Sequence, residues 1–203
     1  MIDLISKPAL MLTEKIYEIL LQKLILFSPI SHAFKIELKR KITLKKFLKG
    51  QKILITRHRV NKLWFLIEGF AKETGFDDEF ERTTWFFFEN DFIFAYPSFF
   101  SQLPAFRDVA MITDGTVLEI TYNDLILLRK KFEELVIIMD MARDLCEQDR
   151  ARYAARMHSL SAQERYNRFY NEHKALFNIA KHKDITSFLG IKSDSFSRFY
   201  TND

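Results

Sequence analysis

The sequence predicts an α+β protein in which helices flank a central block of short strands, because the spacing of its apolar residues changes three times along the chain. Residues 11–27 and 31–41 place apolar side chains at helical spacing. Residues 42–121 instead contain short apolar and β-branched runs between turn residues, which is typical of a small sandwich or barrel. From Tyr122 to about His158 the helical spacing returns, and it predicts one long helix.

The strand block is defined by alternating runs and by the turn signals between them. The clearest runs are residues 52–56, 63–67, 83–88, 109–112 and 116–121. Turn residues follow or precede them at Lys49-Gly50, Glu68-Gly69, Gly75–Asp78 and Asp114-Gly115. Several short strands at regular spacing indicate one compact β unit rather than isolated hairpins.

The long helix carries a heptad-like seam. Alternating four- and three-residue steps connect Leu135, Met139, Ala142, Cys146, Asp149 and Tyr153. A helix of this length needs a partner surface, and a second copy of the chain would provide one. We therefore predict a homodimer through Leu135, Met139, Ala142, Cys146 and Tyr153. The alternative is that the same face packs against the chain's own barrel.

A capping box marks the end of the long helix. Ser161 is followed three residues later by Glu164, the pattern in which each side chain bonds the other's backbone amide at a helix start. We place an inter-domain hinge at residues 157–161. The predicted division is a strand domain with N-terminal helices at 1–125, the dimerisation helix at 126–158 and a C-terminal domain at 159–203.

Residues 184–200 predict two short helices joined by a tight turn. Gly190 can adopt the positive φ that ends the first helix, and Ser193 is a natural N-cap for the second. The apolar faces come from Ile185, Phe188, Leu189, Phe196 and Phe199. This is the pattern of a helix-turn-helix, so double-stranded DNA is the first partner to consider. The alternative is an ordinary surface pair of helices.

Charge is strongly segregated along the 203 residues, although the net charge is only +4. Residues 1–62 carry 14 Lys and Arg against 4 Asp and Glu, whereas residues 63–149 carry 7 against 18. Residues 150–203 carry 10 Lys and Arg against 5 Asp and Glu, and this positive balance suits a segment that binds phosphates. The acidic middle argues against DNA lying across the whole protein.

Several function classes are disfavoured by composition. The single cysteine, Cys146, excludes a disulfide framework, and the five histidines have no metal-ligand spacing. The apolar runs are too short to span a bilayer and the N-terminus lacks a secretory signal, so we expect a cytoplasmic protein. No catalytic constellation assembles, and we expect no enzyme activity, no metal and no cofactor.

The order of these parts resembles the Crp–Fnr family of bacterial transcription regulators, and the resemblance covers nearly the whole chain. Its most specific residues are Gln163-Glu-Arg-Tyr166 followed by residues 184–198, and Leu63–Gly69 matches a strand end of the family's barrel. The resemblance implies a double-stranded β-helix (jelly-roll-like) barrel of the cyclic-nucleotide-binding type, a dimerisation helix and a C-terminal helix-turn-helix domain. It also implies a dimeric DNA-binding regulator.

The family's phosphate-binding residues are altered in this chain. Members that bind cyclic nucleotide use a Gly-Glu turn and an arginine followed by Ser or Thr, whereas residues 89–108 contain no glycine and Arg107 precedes Asp108. Asp108 would repel a phosphate and could pair with Arg107 instead. We therefore expect no cyclic-nucleotide binding, and the effector stays unknown.

Aromatic residues crowd this altered stretch. They either fill the barrel core, which we favour, or line a cavity for an apolar or aromatic ligand. The candidate effector residues are Phe88, Phe92, Tyr96 and Arg107.

Roles at the DNA follow from the predicted second helix. Arg198 is the candidate for a bidentate contact to guanine, and Asp194 could accept from a cytosine amino group. Phosphate or base-edge bonds are predicted for Ser193, Ser195, Ser197, Lys192 and Lys183. The chain then ends in aromatic and acidic residues, which shortens the basic helix. A dimeric sensor or interaction module that binds no DNA, but an apolar ligand or a partner protein, is therefore the alternative.

Overall fold

The computed structural model describes residues 7–77, 80–95 and 98–191, with residues 7–13, 77 and 80 described by their backbone alone. Within these residues the chain begins with two helices, continues through eight strands and ends in a series of helices. The α+β class and the order of the parts agree with the prediction.

The N-terminal helices are α1 (Lys7–Ile25) and α2 (His32–Lys41). Ser31 caps α2 by accepting a hydrogen bond from the Phe34 amide. The buried residues of α1 and α2, including Leu20, Phe34 and Leu38, belong to the main hydrophobic core. Both helices therefore pack against the strands.

Eight strands form two open antiparallel sheets. The strands are β1 (Thr43–Phe47), β2 (Lys52–Leu54), β3 (Lys62–Glu68), β4 (Ala71–Asp77), β5 (Phe80–Phe87), β6 (Phe92–Ile93), β7 (Asp108–Met111) and β8 (Gly115–Thr121). Their order is β1-β8-β3-β6 in one sheet and β2-β7-β4-β5 in the other. A short helix, α3 (Ser98–Ser101), lies between β6 and β7. The predicted barrel is thus a pair of four-stranded sheets, which we call the β-roll, and not a clearly closed barrel.

Three strands differ from the sequence-based prediction. The runs around Leu54, Leu66, Phe86, Val109 and Val117 are confirmed as strands, but β1, β4 and β6 were not predicted. Both β1 and β4 contain adjacent charged residues, and Gly75, predicted to start a turn, lies inside β4 opposite Arg82. Their strand conformation is fixed by pairing with β8, β5 and β7 and not by local sequence preference.

The predicted long helix is interrupted once. It consists of α4 (Tyr122–Lys131) and α5 (Glu133–Ser159), separated by Phe132 in an extended conformation with φ −131° and ψ 112°. The Phe132 ring is buried and lies 5.4 Å from the Phe34 ring, so tertiary packing provides the reason for the break. The sequence contains no glycine or proline there.

The C-terminal helices are α6 (Ala162–Glu172), α7 (Lys174–Phe177) and α8 (His182–Leu189). Their core residues, among them Phe169, Phe177, Ile185 and Phe188, form a second apolar cluster that also includes Phe86 and Ile112 of the β-roll. The C-terminal helices therefore share a hydrophobic core with β5 and with the residue that follows β7.

Candidate nucleic-acid interface and effector cavity

The start of the C-terminal helices follows the predicted capping box. The Ser161 hydroxyl accepts a hydrogen bond from the Glu164 amide at 3.3 Å, and the Glu164 carboxylate accepts one from the Ser161 amide at 2.8 Å. Leu160 precedes them in an extended conformation, so α5 and α6 are separate helices. This confirms the predicted boundary between the two helices.

The first of the two helices predicted for residues 184–200 lies within the described residues. Helix α8 ends at Gly190, which adopts φ 60° and ψ 39°, the left-handed conformation expected of a C-cap glycine. A Cβ at Gly190 would lie 2.6 Å from the Met157 methyl carbon, so the glycine also permits close approach to α5. Residues 192–203, which include the second helix of the prediction, lie outside the described residues.

Two side chains bind the carbonyl groups at the end of α8. Arg165 of α6 donates to the Leu189 carbonyl at 2.8 Å and to the Gly190 carbonyl at 3.3 Å. The same guanidinium donates to the carbonyls of Leu160 at 2.6 Å and Met157 at 3.3 Å. Tyr153 of α5 donates to the Phe188 carbonyl. Because a helix C-terminus attracts positive charge, Arg165 is well suited to fix the chain as it leaves α8.

Of the predicted DNA contacts, only Lys183 lies within the described residues. It is exposed in the first turn of α8, where a lysine can reach a phosphate. The other candidates lie outside the described residues: Lys192, Ser193, Asp194, Ser195, Ser197 and Arg198. Their roles stay predictions.

Helix α8 is attached to the β-roll by polar contacts. The Lys72 ammonium group of β4 lies 2.8 Å from the Asp184 carboxylate, and the two side chains are 19% and 9% exposed. The Thr83 amide of β5 donates to the Ser187 hydroxyl at 3.2 Å. Since β5 is the outer strand of its sheet, α8 covers part of a free sheet edge.

Aromatic rings continue this attachment. Phe188 lies 5.1 Å from Phe86 and 6.2 Å from Trp85, both of β5, and it stacks on Tyr153 at 4.5 Å. Phe86 also stacks on Phe169 of α6 at 6.0 Å. These ring pairs join β5, α5, α6 and α8 at one place.

A buried carboxylate, Glu73 of β4, connects the β-roll to α5. Its side chain is 2% exposed and accepts from Arg150 at 3.0 and 3.2 Å, from Arg107 at 2.9 Å and from the Thr84 hydroxyl at 2.7 Å. Burial by itself raises the pKa of Glu73, but the two guanidinium groups and the hydroxyl outweigh burial and hold the pKa below its ordinary value. Glu73 is therefore ionised and satisfied.

The expected pairing of Arg107 with Asp108 is wrong. Arg107 pairs with Glu73, and Asp108 instead pairs with Lys52 and accepts from the Thr56 amide. Arg107 lies immediately before β7 and Asp108 is the first residue of that strand, and their partners lie on two different strands, β4 for Arg107 and β2 for Asp108. Arg107 is thus neutralised inside the chain by a carboxylate that the sequence-based prediction did not identify.

A cavity of about 420 Å³ lies between the β-roll, α5 and α6. Phe88 and Phe92, two of the four predicted effector residues, line it together with Trp85, Tyr153 and Phe188. Arg107 is not among its lining residues, and Tyr96 lies outside the described residues. The volume is in the range of small-molecule sites, which run from about 300 to 1,000 Å³.

The lining of the cavity also carries charged residues, among them Lys23, Arg156 and Glu172, and two of its ionisable groups are partly desolvated. Burial raises the pKa of the Asp91 carboxyl, which accepts from the Phe88 amide at 2.8 Å. Burial lowers the pKa of His173, whose ring stacks on Phe88 at 4.3 Å. Both shifts favour uncharged side chains. The cavity thus offers aromatic faces bordered by ionisable side chains of both signs.

The seam predicted for dimerisation faces the chain's own β-roll. Leu135 is 4% exposed and belongs to the main core, against which Met139 and Cys146 also pack. Ala142 lines the cavity, and Tyr153 contacts Trp85 and Phe188. Leu135 is therefore used within the chain and has little surface left for a second copy, which corrects its predicted role.

A different stripe of α5 is exposed. Ile137, Met141 and Leu145 are 50%, 39% and 38% exposed and recur every four residues, so they lie along one face of the helix. The heptad count selected the face of α5 that the β-roll covers and did not select this exposed stripe.

Comparisons with solved structures agree with this architecture. A Crp/Fnr-family transcriptional regulator from Eubacterium rectale has a TM-score of 0.68 at 16% identity, over 84% of this chain and 82% of that chain. FixK2 from Bradyrhizobium japonicum has a TM-score of 0.65 at 14% identity, over 79% of this chain and 83% of that chain. CLP from Xanthomonas campestris, a c-di-GMP-responsive global regulator, has a TM-score of 0.64 at 14% identity, over 83% of this chain and 89% of that chain.

The chain has the fold of these regulators. No protein-family model matches the sequence, and no curated protein matches it either. At these identities the likeness establishes the architecture, which is the β-roll followed by a long helix and C-terminal helices.

Membrane-spanning helices and metal-binding clusters are both absent from the described part of the chain. No helix among those residues is long and apolar enough to cross a membrane. No group of three or more His, Cys, Asp or Glu side chains there is arranged to hold a metal ion.

Proposed function

We propose that this protein is a dimeric DNA-binding transcription regulator of the Crp–Fnr type. The observation that carries the proposal is the position of α8 and its Gly190 cap at the end of a chain whose fold matches such regulators over about four fifths of its length. Helix α8 is then the first helix of a helix-turn-helix, and the sequence predicts residues 193–200 as the helix that reads DNA. The basic composition of residues 150–203 supports this partner.

The β-roll of this regulator does not bind cyclic nucleotide through Arg107. An anion would have to displace Glu73, which is 2% exposed and bonded to two guanidinium groups and a hydroxyl. Displacement would remove one of the two guanidinium groups that neutralise this buried carboxylate and would bring a second negative charge beside it, which is costly. The aromatic cavity beside α5 is the better effector site, and its rings together with ionisable side chains of both signs suit an aromatic molecule with polar substituents.

The homodimer forms through the exposed stripe of α5. Ile137, Met141 and Leu145 present apolar surface beside the charged residues Asp140, Arg143 and Asp144. Two such helices can pack side by side with the charges at the edge of the contact. Dimerisation would place two C-terminal domains for a two-fold symmetric DNA site.

The test is selection from a random-sequence duplex pool with the full chain. The proposal expects repeated rounds of binding to enrich one palindromic sequence, because a two-fold dimer reads two half-sites. Enrichment of no sequence at about 50 mM salt, where phosphate contacts are strongest, would contradict DNA recognition.

A second candidate function is a dimeric sensor that does not bind DNA. The burial of α8 against β5 favours it, since five of the eight helix residues are inaccessible: Asp184, Ile185, Thr186, Phe188 and Leu189. The same selection experiment separates the two functions.

A further inference from the structure

Helix α8 is enclosed on both sides. Five of its residues are buried, and the exposed ones are His182 and Lys183 in the first turn. One side contacts α5 and α6 through Tyr153 and Arg165, and the other contacts the β-roll.

This enclosure conflicts with the approach of DNA. In a helix-turn-helix the first helix crosses the DNA backbone while the second enters the major groove, so the first helix needs an accessible face. The face of α8 that carries Asp184 and Ser187 is occupied by Lys72 and by the Thr83 amide.

We propose that the contact between α8 and the strands β4 and β5 is autoinhibitory, so that α8 must leave the β-roll before the chain binds DNA. The inference rests on the proposed function. The contact blocks DNA through three groups on the β-roll: the Lys72 ammonium, the Thr83 amide and the Phe86 ring.

The contact is built so that it can open. Thr83 lies on β5, the outer strand of its sheet, and the Lys72 side chain is 19% exposed, so water can replace the lost partners of both. Arg165 binds carbonyls of both α5 and α8, so we expect α8 and the end of α5 to leave the β-roll together. Phe188 then keeps its stacking on Tyr153.

The aromatic cavity lies at the same junction. Trp85, Phe86 and Phe188 belong both to the α8 contact and to the lining of the cavity. A molecule bound there would change the packing of these rings, which gives a physical route from effector binding to α8.

Reversing the charge of Lys72 tests the contact. In Lys72→Asp two carboxylates face each other, so we expect faster hydrogen exchange in α8. We also expect about tenfold tighter binding of a labelled random-sequence duplex, the gain when the competent fraction rises about tenfold. Lys45→Asp, which makes the same charge change at an exposed site of β1, should bind less tightly than the parent or equally. The double variant Lys72→Asp, Asp184→Lys should return to the affinity of the parent.

Cross-linking provides the opposite test. In a Cys146→Ser background, Lys72→Cys and Asp184→Cys are joined by a short reducible bis-thiol reagent, which holds α8 on the β-roll. The cross-linked form should lose duplex binding, and reduction should restore it. This readout does not depend on the stability of Lys72→Asp.

The outcomes distinguish the inference from the proposed function. Duplex binding by the cross-linked form equal to that of the reduced form overturns autoinhibition alone. Unchanged or weaker binding by Lys72→Asp, together with faster exchange in α8, also overturns it. If the parent, Lys72→Asp and the reduced double-cysteine variant all fail to bind duplex, the proposed function is wrong and the inference falls with it.

Discussion

Arg150 of α5 forms a two-point ion pair with Glu73 of β4, and this pair joins the long helix to the β-roll. The guanidinium is 19% exposed, the carboxylate is 2% exposed, and the contacts are 3.0 and 3.2 Å. The guanidinium also lies 5.0 Å above the Trp85 ring, which adds a cation–π contact. This ion pair and the ring contact therefore hold α5 against the β-roll.

Loss of this pair should be severe. Arg150→Ala leaves the Glu73 carboxylate buried with Arg107 and Thr84 as its partners, and we expect a loss of about 3–5 kcal/mol in the free energy of unfolding. Arg152→Ala removes an arginine that is 62% exposed and pairs with Asp149, and it should cost less than about 1 kcal/mol. Urea unfolding of both variants measures the difference. Equal losses of stability in the two variants would mean that the buried ion pair does not hold α5 on the β-roll.

Glu73 should also make the protein sensitive to acid. Its pKa is held below the ordinary value, so its stabilising contribution is complete above the unfolded-state pKa of about 4.3 and is lost as the pH falls through the lower folded-state pKa. Glu73→Gln should therefore be less stable at neutral pH and show a flatter decline below about pH 4.3. The exposed Glu133→Gln serves as the control. A parallel decline in the parent and Glu73→Gln would contradict this account.

Arg165 should affect DNA binding without contacting DNA. Arg165→Ala removes hydrogen bonds to four carbonyls, so we expect a loss of about 1.5–3 kcal/mol in stability and weaker duplex binding. Arg168→Ala, on the same helix but 50% exposed, should leave both nearly unchanged apart from one surface ion pair. Unfolding and fluorescence anisotropy measure the two effects. If Arg165→Ala weakens stability but not duplex binding, the residue does not position the DNA-binding segment.

The dimer should depend on the exposed stripe of α5. Met141→Asp introduces charge at its centre and should convert dimers to monomers in light scattering. Leu127→Asp on α4, where the parent side chain is 57% exposed, makes a matched change elsewhere and should leave the dimer intact. A parent that is monomeric, or a Met141→Asp variant that remains dimeric, would exclude this face.

The sequence predicted much of the backbone because its local signals were consistent. Ser161 with Glu164 and Gly190 have one preferred local conformation each, and both are found as predicted. Phe132 and Glu73 could not be predicted, since their conformations depend on partners far along the chain. Pairing between distant charges leaves no periodic pattern in one sequence.

The site was predictable only in part for the same reason. Phe88 and Phe92 meet in one cavity, as expected of neighbouring aromatic residues, but Arg107 turns toward Glu73. The heptad spacing in α5 does not distinguish a face that contacts another copy from one that contacts the β-roll. The tertiary structure shows which face of α5 the β-roll covers.

The most direct measurement of the central claim is duplex binding by Arg198→Ala, compared with the parent and with Arg129→Ala on α4. We expect Arg198→Ala to lose about 1–3 kcal/mol of binding to the selected sequence while keeping its binding to random duplex, because base contacts specify and phosphate contacts position. Arg129→Ala should bind both as the parent does. If Arg198→Ala prefers the selected sequence over random duplex as strongly as the parent does, sequence recognition by the C-terminal segment is contradicted.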